Sequence, residues 1–168
     1  VEISTAEIKE LRDQTGAGIM DCRRALIDSG GDPKKAQQLL KEKNILVAKK
    51  TAGRTVRQGL IEAYIHPGGR LGAMIELNCE TDFVARTKEF QELAHQIAMQ
   101  VAALGPQFIS QEEVPATTAD VDPKVACLLL QPYIKNPELT VQDIINEVVG
   151  KVGENIKVSR FARFELGG

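Results

Sequence analysis

The sequence predicts an α+β fold: a small helical bundle, then a core of about three antiparallel strands with helices packed on one face. Three observations carry that prediction. Helix caps and glycine stops alternate through the first 45 residues. Two runs of period two flank Pro67-Gly68-Gly69, the pattern of an antiparallel hairpin. Phe90, Leu93, Ala94, Ile97, Ala98, Val101 and Leu104 then form a long helical stripe that supplies an apolar cover for the hairpin.

Within the bundle, Ser4 and Glu7 have the spacing of a capping box, and Ile3 and Ile8 are placed for a hydrophobic staple. This first helix turns Ile8 and Leu11 inward and stops at Gly16. A second starts near Gly18, with Ile19, Cys22, Ala25 and Leu26 on one face, and ends at Gly30-Gly31. Asp32 as N-cap and Pro33 at the first position open a third, with Ala36, Leu39 and Leu40 inward. Such a bundle holds roughly 40 residues, near the lower limit for an independent core. Met20 lies about 100° around the helix from Ile19, beside Arg23 and Arg24. It reads either as a partly exposed edge residue or as part of a contact surface, where Met and Arg are enriched. A basic connector follows, Lys41, Lys43, Lys49, Lys50, Arg54 and Arg57, with Glu42 its one acid. It suits a solvated helix extension and linker, or a track for RNA phosphates. The lack of an aromatic residue to stack on bases weakens the second use.

In the core, Ile61, Ala63 and Ile65 share a face of the first strand, and Leu71, Ala73, Ile75, Leu77 and Cys79 a face of the second. Thr87 caps the long helix and Gly105-Pro106 ends it; residues 105–120 read as a surface loop. Asp122-Pro123 opens a helix through Val125, Leu128 and Leu129 that stops before Pro132. Thr140 caps another, with Val141, Ile144, Ile145, Val148, Val149 and Val152 inward and Gly153 after it. Ile156, Val158, Ala162, Phe164 and Leu166 alternate along a third strand, with Arg160 breaking the apolar set.

Composition narrows the function. The 168 residues are 43% hydrophobic and 26% charged, as in a folded soluble protein, and with 4% aromatics and no Trp the core must be aliphatic. A net charge of −2 argues against a general nucleic-acid or membrane-surface binder. Cys22, Cys79 and Cys127, without CxxC spacing, form neither a disulfide framework nor a zinc site and read as small buried hydrophobes in a reducing compartment. No apolar run reaches membrane-spanning length, and VEISTAEIKE is no signal peptide. The expected compartment is the cytoplasm, with an organellar matrix or stroma also open. Walker, HExxH, GxSxG and dinucleotide fingerprints are missing, and His66 and His95 read as surface residues. No enzyme activity, cofactor or metal is expected.

One segment stands apart. In Asn78-Cys79-Glu80-Thr81-Asp82-Phe83-Val84-Ala85-Arg86 a strand ends and an acid and an aromatic share a turn ahead of the long helix. Either Thr81 is an N-cap with Phe83 packed into the local core, or Asp82 and Phe83 form an exposed tip that enters a partner's pocket.

That segment, extended back to Glu76, and the stretch Leu11-Arg12-Asp13-Gln14-Thr15-Gly16-Ala17-Gly18-Ile19-Met20-Asp21-Cys22-Arg23-Arg24-Ala25-Leu26 resemble the two signatures of the elongation factor Ts family. Gly153-Glu154-Asn155-Ile156 through Arg163-Phe164-Glu165-Leu166 is similar to the family's C-terminal strand, so the resemblance spans nearly the whole chain. It implies a guanine-nucleotide exchange factor for elongation factor Tu. Residues 1–45 would be a ubiquitin-associated-like module binding the GTPase domain, 46–58 a connector, and 59–168 the exchange and dimerisation core. The implied contacts are Arg12, Ile19, Met20 and Arg23 on the module, and Thr81, Asp82, Phe83 and Val84 for displacing the magnesium held with the partner's nucleotide. With one sheet-bearing unit, where the longest members have two, a homodimer is expected; direct nucleic-acid and membrane contacts are not. A ribosome- or RNA-binding module, or an adaptor for a ubiquitin-like protein, are the alternatives, and neither uses the 76–86 segment.

Overall fold

Each N-terminal helix begins at a residue able to satisfy its free amide groups. In the computed structural model, which describes residues 2–118 and 120–168, both halves of the Ser4–Glu7 capping box form at the start of α1 (Thr5–Thr15), and Gly16 closes it in the left-handed conformation. α2 (Ile19–Asp28) follows Gly18, and α3 (Pro33–Thr51) starts where the Asp32 carboxylate accepts the amides of Lys34 and Lys35. Leu11, Cys22, Ala25, Leu26, Ala36 and Leu40 fill the interior. Ile19 and Leu39, expected inward, are exposed. Cys22, Ala25 and Leu26 of α2 and Ala36 and Leu40 of α3 already fill so small an interior, which leaves Ile19 and Leu39 at its margin.

α3 does not stop at the bundle. It runs on through the first half of the basic connector to Thr51, so the boundary drawn at residue 45 falls inside a helix. Val47 and Ala48 pack against the main core, and Thr51 is buried. Lys41 pairs with Asp143 at 3.2 Å, Lys43 with Asp21, and Arg54 with Glu80 at 3.6 Å, so half of the connector's cations are engaged within the chain.

In chain order the core comprises β1 (Gln58–Ile65), β2 (Leu71–Cys79), α4 (Asp82–Ala85), α5 (Lys88–Leu104), α6 (Pro123–Ala126), the short strands β3 (Pro132–Tyr133) and β4 (Asn136–Thr140), α7 (Val141–Val152) and β5 (Lys157–Glu165). β1, β2 and β5 form one antiparallel sheet in that order. Ala73, Ile75, Leu77 and Cys79 of β2 face Phe90, Leu93, Ala94, Ile97 and Val101 of α5, with the apolar side of α7 completing the core. α3 lies against α7, where Gly150 offers no Cβ to push away Asn44.

Several side chains depart from the expected faces. Register pairs Ile61 with Glu76, Ala63 with Met74 and Ile65 with Gly72, so the apolar alternation of β1 points away from the helices while Leu60 and Tyr64 face them. In β5 the register shifts between Val158 and Arg160, leaving Ser159 as an extra residue. This bulge inverts the parity. Val158 and Phe161 face the core, whereas Ala162 and Phe164 turn outward with Arg160. Leu104 and Val125 are exposed as well. The helix expected through Leu129 is a single turn, α6, followed by a 3-10 turn at Leu128–Leu130. Cys127 interrupts the two by bridging to Phe108, which ties part of the 105–120 loop to the body. The β3–β4 ribbon has no periodic signature. Its anchor is the buried Gln100, which donates to the Pro132 carbonyl at 3.0 Å and accepts the Ile134 amide at 3.0 Å.

Candidate functional site

β2 ends at the buried Cys79, and the chain then turns once as α4 before α5 begins. Thr81 is the cap of that turn: its hydroxyl accepts the Val84 amide at 3.3 Å. Val84 and Ala85 are buried against the sheet and α5. Phe83, on the opposite side, is 78% exposed. Both readings of the segment therefore hold in part: Thr81 caps, but Phe83 does not pack into the core. Asp82 is exposed too and pairs with Arg86 at 2.6 Å. Burial, reinforced by the Glu154 charge, pushes the Cys79 thiol up to about 11, so it is a neutral thiol that donates to the Thr81 carbonyl at 3.1 Å.

A single helical turn has too few hydrogen bonds to hold its own shape. Here the support comes from the turn between α7 and β5. Glu154 Oε1 accepts both the Thr81 hydroxyl (2.9 Å) and the Thr81 amide (3.3 Å). Reciprocally, Glu80 Oε1 accepts the Asn155 amide at 2.8 Å. The Asn155 carboxamide donates to the carbonyls of Ala52 and Arg54, and the Arg54 guanidinium reaches the Gly153 carbonyl. Three segments far apart in sequence are thus clasped at the start of the turn that carries Phe83. Glu80 and Glu154 lie within quoted motifs, but nothing local in the sequence shows that they reach across to each other's segment.

On the N-terminal module, Arg12, Ile19, Met20 and Arg23 are all exposed, Met20 at 69%. Arg12, Ile19 and Met20 line one cleft between module and core, whose far wall includes Asp143, Glu147 and Lys151. Arg23 and the tip residues Thr81, Asp82, Phe83 and Val84 lie outside it. The cleft thus brings together three of the predicted residues and leaves Arg23 and the tip apart from it.

The two histidines sit elsewhere, at the edge where β1 meets α5. His95 Nδ1 is 3.2 Å from the Glu62 carboxylate, and His66 Nδ1 is 3.0 Å from the Tyr64 hydroxyl. Among the described residues, no group of three or more His, Cys, Asp and Glu is placed to hold a metal, and no helix is long and apolar enough to cross a membrane.

Comparison with known proteins gives the family. A family model described as "Elongation factor TS" matches residues 34–126, which include the tip and β1–β2. The elongation factor Ts of Caldanaerobacter subterraneus is 45% identical over 194 aligned positions, which cover 98% of this chain and 97% of that one. Those of Thermotoga petrophila (44%; 99% and 98% covered) and Carboxydothermus hydrogenoformans (43%; 98% and 89%) are similar. Each alignment is longer than the chain, so these relatives carry residues that it lacks. Family model and relatives both cover more than half of its length, and the chain belongs to the elongation factor Ts family.

Proposed function

We propose that the chain acts on elongation factor Tu through two contacts: Thr81, Asp82, Phe83 and Val84 as the nucleotide-releasing tip, and Arg12, Ile19, Met20 and Arg23 as a separate anchor on the GTPase domain. Its function is that of its family, guanine-nucleotide exchange on elongation factor Tu during translation elongation. Exchange makes and breaks no covalent bond. A factor that binds the nucleotide-free GTPase more tightly must weaken nucleotide binding by the same ratio.

The observation that carries the assignment is Phe83, a large apolar side chain left in water on a turn that is capped and tied from below. An exposed aromatic on a rigid support loses little conformational entropy on docking, the property of a binding hot spot. Phe83 would enter between elements of the GTPase and shift the groups that hold magnesium on the nucleotide. The Asp82–Arg86 pair is solvent-exposed and therefore weak, so Asp82 can exchange it for polar groups of the partner at small cost. The N-terminal bundle serves as anchor and residues 59–168 as the exchange core, with α3, which runs on past residue 45 to Thr51, and the segment up to residue 58 joining them. Two linked contacts raise effective concentration, so loss of either weakens the whole.

A homodimer belongs to this reading. The outer face of the sheet exposes Ile61, Ile65, Met74 and Phe164 around Ala63 and Ala162, while the Arg160–Glu76 pair at 3.2 Å offers both signs of charge beside it. A two-fold-related copy of the same face is the partner we propose for it. The cytoplasm, where a translation factor meets its GTPase, is the proposed compartment.

Release of a fluorescent GDP from elongation factor Tu tests the assignment. The protein should accelerate release at catalytic amounts. Phe83→Ala should lower the rate at saturating factor by at least about tenfold, and Met20→Ala should chiefly raise the concentration needed. Unchanged release with Phe83→Ala would remove the tip from the mechanism. No acceleration by the wild type would remove the function.

A further inference from the structure

We propose that Glu154 is a positioning residue for nucleotide release, fixing through Thr81 the direction in which Phe83 leaves the molecule. The inference rests on the reading of Thr81–Val84 as the releasing tip.

Glu154 is only 9% exposed, and among the described residues it forms no ion pair. A carboxylate removed from water without a cation is costly, and needs a compensating set of hydrogen bonds. Here both compensating donors belong to one residue, the Thr81 amide and hydroxyl. The Thr81 hydroxyl has one proton to give, and it gives it to Glu154 Oε1. That orientation leaves the oxygen's lone pair facing the Val84 amide, which donates to it at 3.3 Å. Val84 N–H, Thr81 O–H and Glu154 form a directed chain in which each bond polarises the next. Phe83 lies between the two backbone positions that this chain fixes.

The reciprocal bond from the Asn155 amide to Glu80 prevents the two turns from sliding past each other. Asn155 also holds the carbonyls of Ala52 and Arg54, just beyond the end of α3. The same clasp therefore joins the helix that carries the N-terminal module to the turn that carries Phe83. An apolar residue in place of Glu154 could fill the buried space but could not accept from Thr81, which is itself exposed. What the carboxylate adds is direction.

The test is GDP release from elongation factor Tu by wild type, Glu154→Ala, Glu154→Gln, Phe83→Ala and the double variant Phe83→Ala with Glu154→Ala. Circular dichroism and thermal melting establish that each is folded at the assay temperature. Glu154→Ala is expected to lower the rate at saturating factor by about ten- to a hundredfold, with the half-saturating concentration little changed. Glu154→Gln, which still accepts from Thr81, should recover most of the loss. In the Phe83→Ala background the same Glu154 change should have no further effect, because there is no side chain left to aim. An equal loss in both backgrounds, or a full rate from Glu154→Ala, overturns the proposal. If Glu154→Ala does not fold, Thr81→Val removes the hydroxyl relay with little change of shape and must show the same dependence on Phe83. If Phe83→Ala alone matches wild type, the tip reading fails first and this inference falls with it.

Discussion

Glu147, on the side of α7 that walls the cleft between module and core, illustrates how one residue can carry a cost. Burial raises its carboxyl above the ordinary value; Lys151 and Lys41 oppose the shift and Asp143 adds to it. A carboxyl with a raised folded-state value favours the folded state fully at pH below its unfolded value and loses that contribution as pH rises through the folded one. Glu147→Gln should therefore be neutral to stability near pH 4 and stabilising at pH 7–8, read as the difference in urea midpoint between the two conditions. A gain of the same size at both values would mean that ionisation is irrelevant there. Nearby, the buried Tyr133 hydroxyl has no hydrogen-bond partner among the described residues, so Tyr133→Phe should leave stability unchanged or raise it by up to about 1 kcal/mol in the same measurement. At this scale the Thr81 cap was legible because a Thr ahead of a turn acts locally, whereas the residues alone left Phe83 either packed or exposed, and only the family resemblance singled out Thr81, Asp82, Phe83 and Val84 together. Glu154 was not, because its bond to Thr81 spans 73 positions and no local pattern encodes it.

Among the elements, helices were read most directly, since caps such as Ser4, Asp32, Thr87 and Thr140 act on amides two or three residues away. The three strands of the main sheet were found and the β3–β4 ribbon was not; of the three, β2 turned the expected face inward and β1 and β5 did not. Period two is symmetric, and apolar residues on β1 mark a face without saying whether a helix or another protein covers it. The bulge at Ser159 then inverts β5 halfway, placing Phe161 inward and allowing Arg163 to donate to the Ala102 carbonyl in the last turn of α5. Gly59 shows how tightly β1 is set. Its φ of 142° is left to glycine, and a Cβ there would run into the Leu77 carbonyl on β2. Gly59→Ala is expected to cost at least about 1–3 kcal/mol in urea unfolding. Because Gly59 pairs with Asn78, three residues ahead of the Thr81 cap, amide exchange should rise first at that end of the hairpin. Uniform loosening of the whole sheet would show that the strain is not confined there.

For the molecule as a whole, the outer sheet face is where stability and assembly meet. In a single copy Phe164 is 73% exposed, Ile65 65% and Ile61 61%, an apolar surface that gains nothing from the protomer's own core. Charges placed there should leave the isolated fold intact and remove any gain from covering the face. Ile65→Lys with Phe164→Glu is therefore expected to keep the wild-type circular dichroism while sedimenting as a monomer, with the unmodified protein sedimenting as a dimer. The melting temperature separates this from a general surface effect. Pairing stabilises by mass action, so the wild-type value should rise with protein concentration and the variant's should not. A wild type that melts at one temperature across a hundredfold range of concentration, and sediments as a single chain throughout, would leave that face without a second copy to cover it. Should the variant instead lose its fold, the sheet's outer residues would be part of the protomer's own stability, against the exposure on which the pairing argument depends.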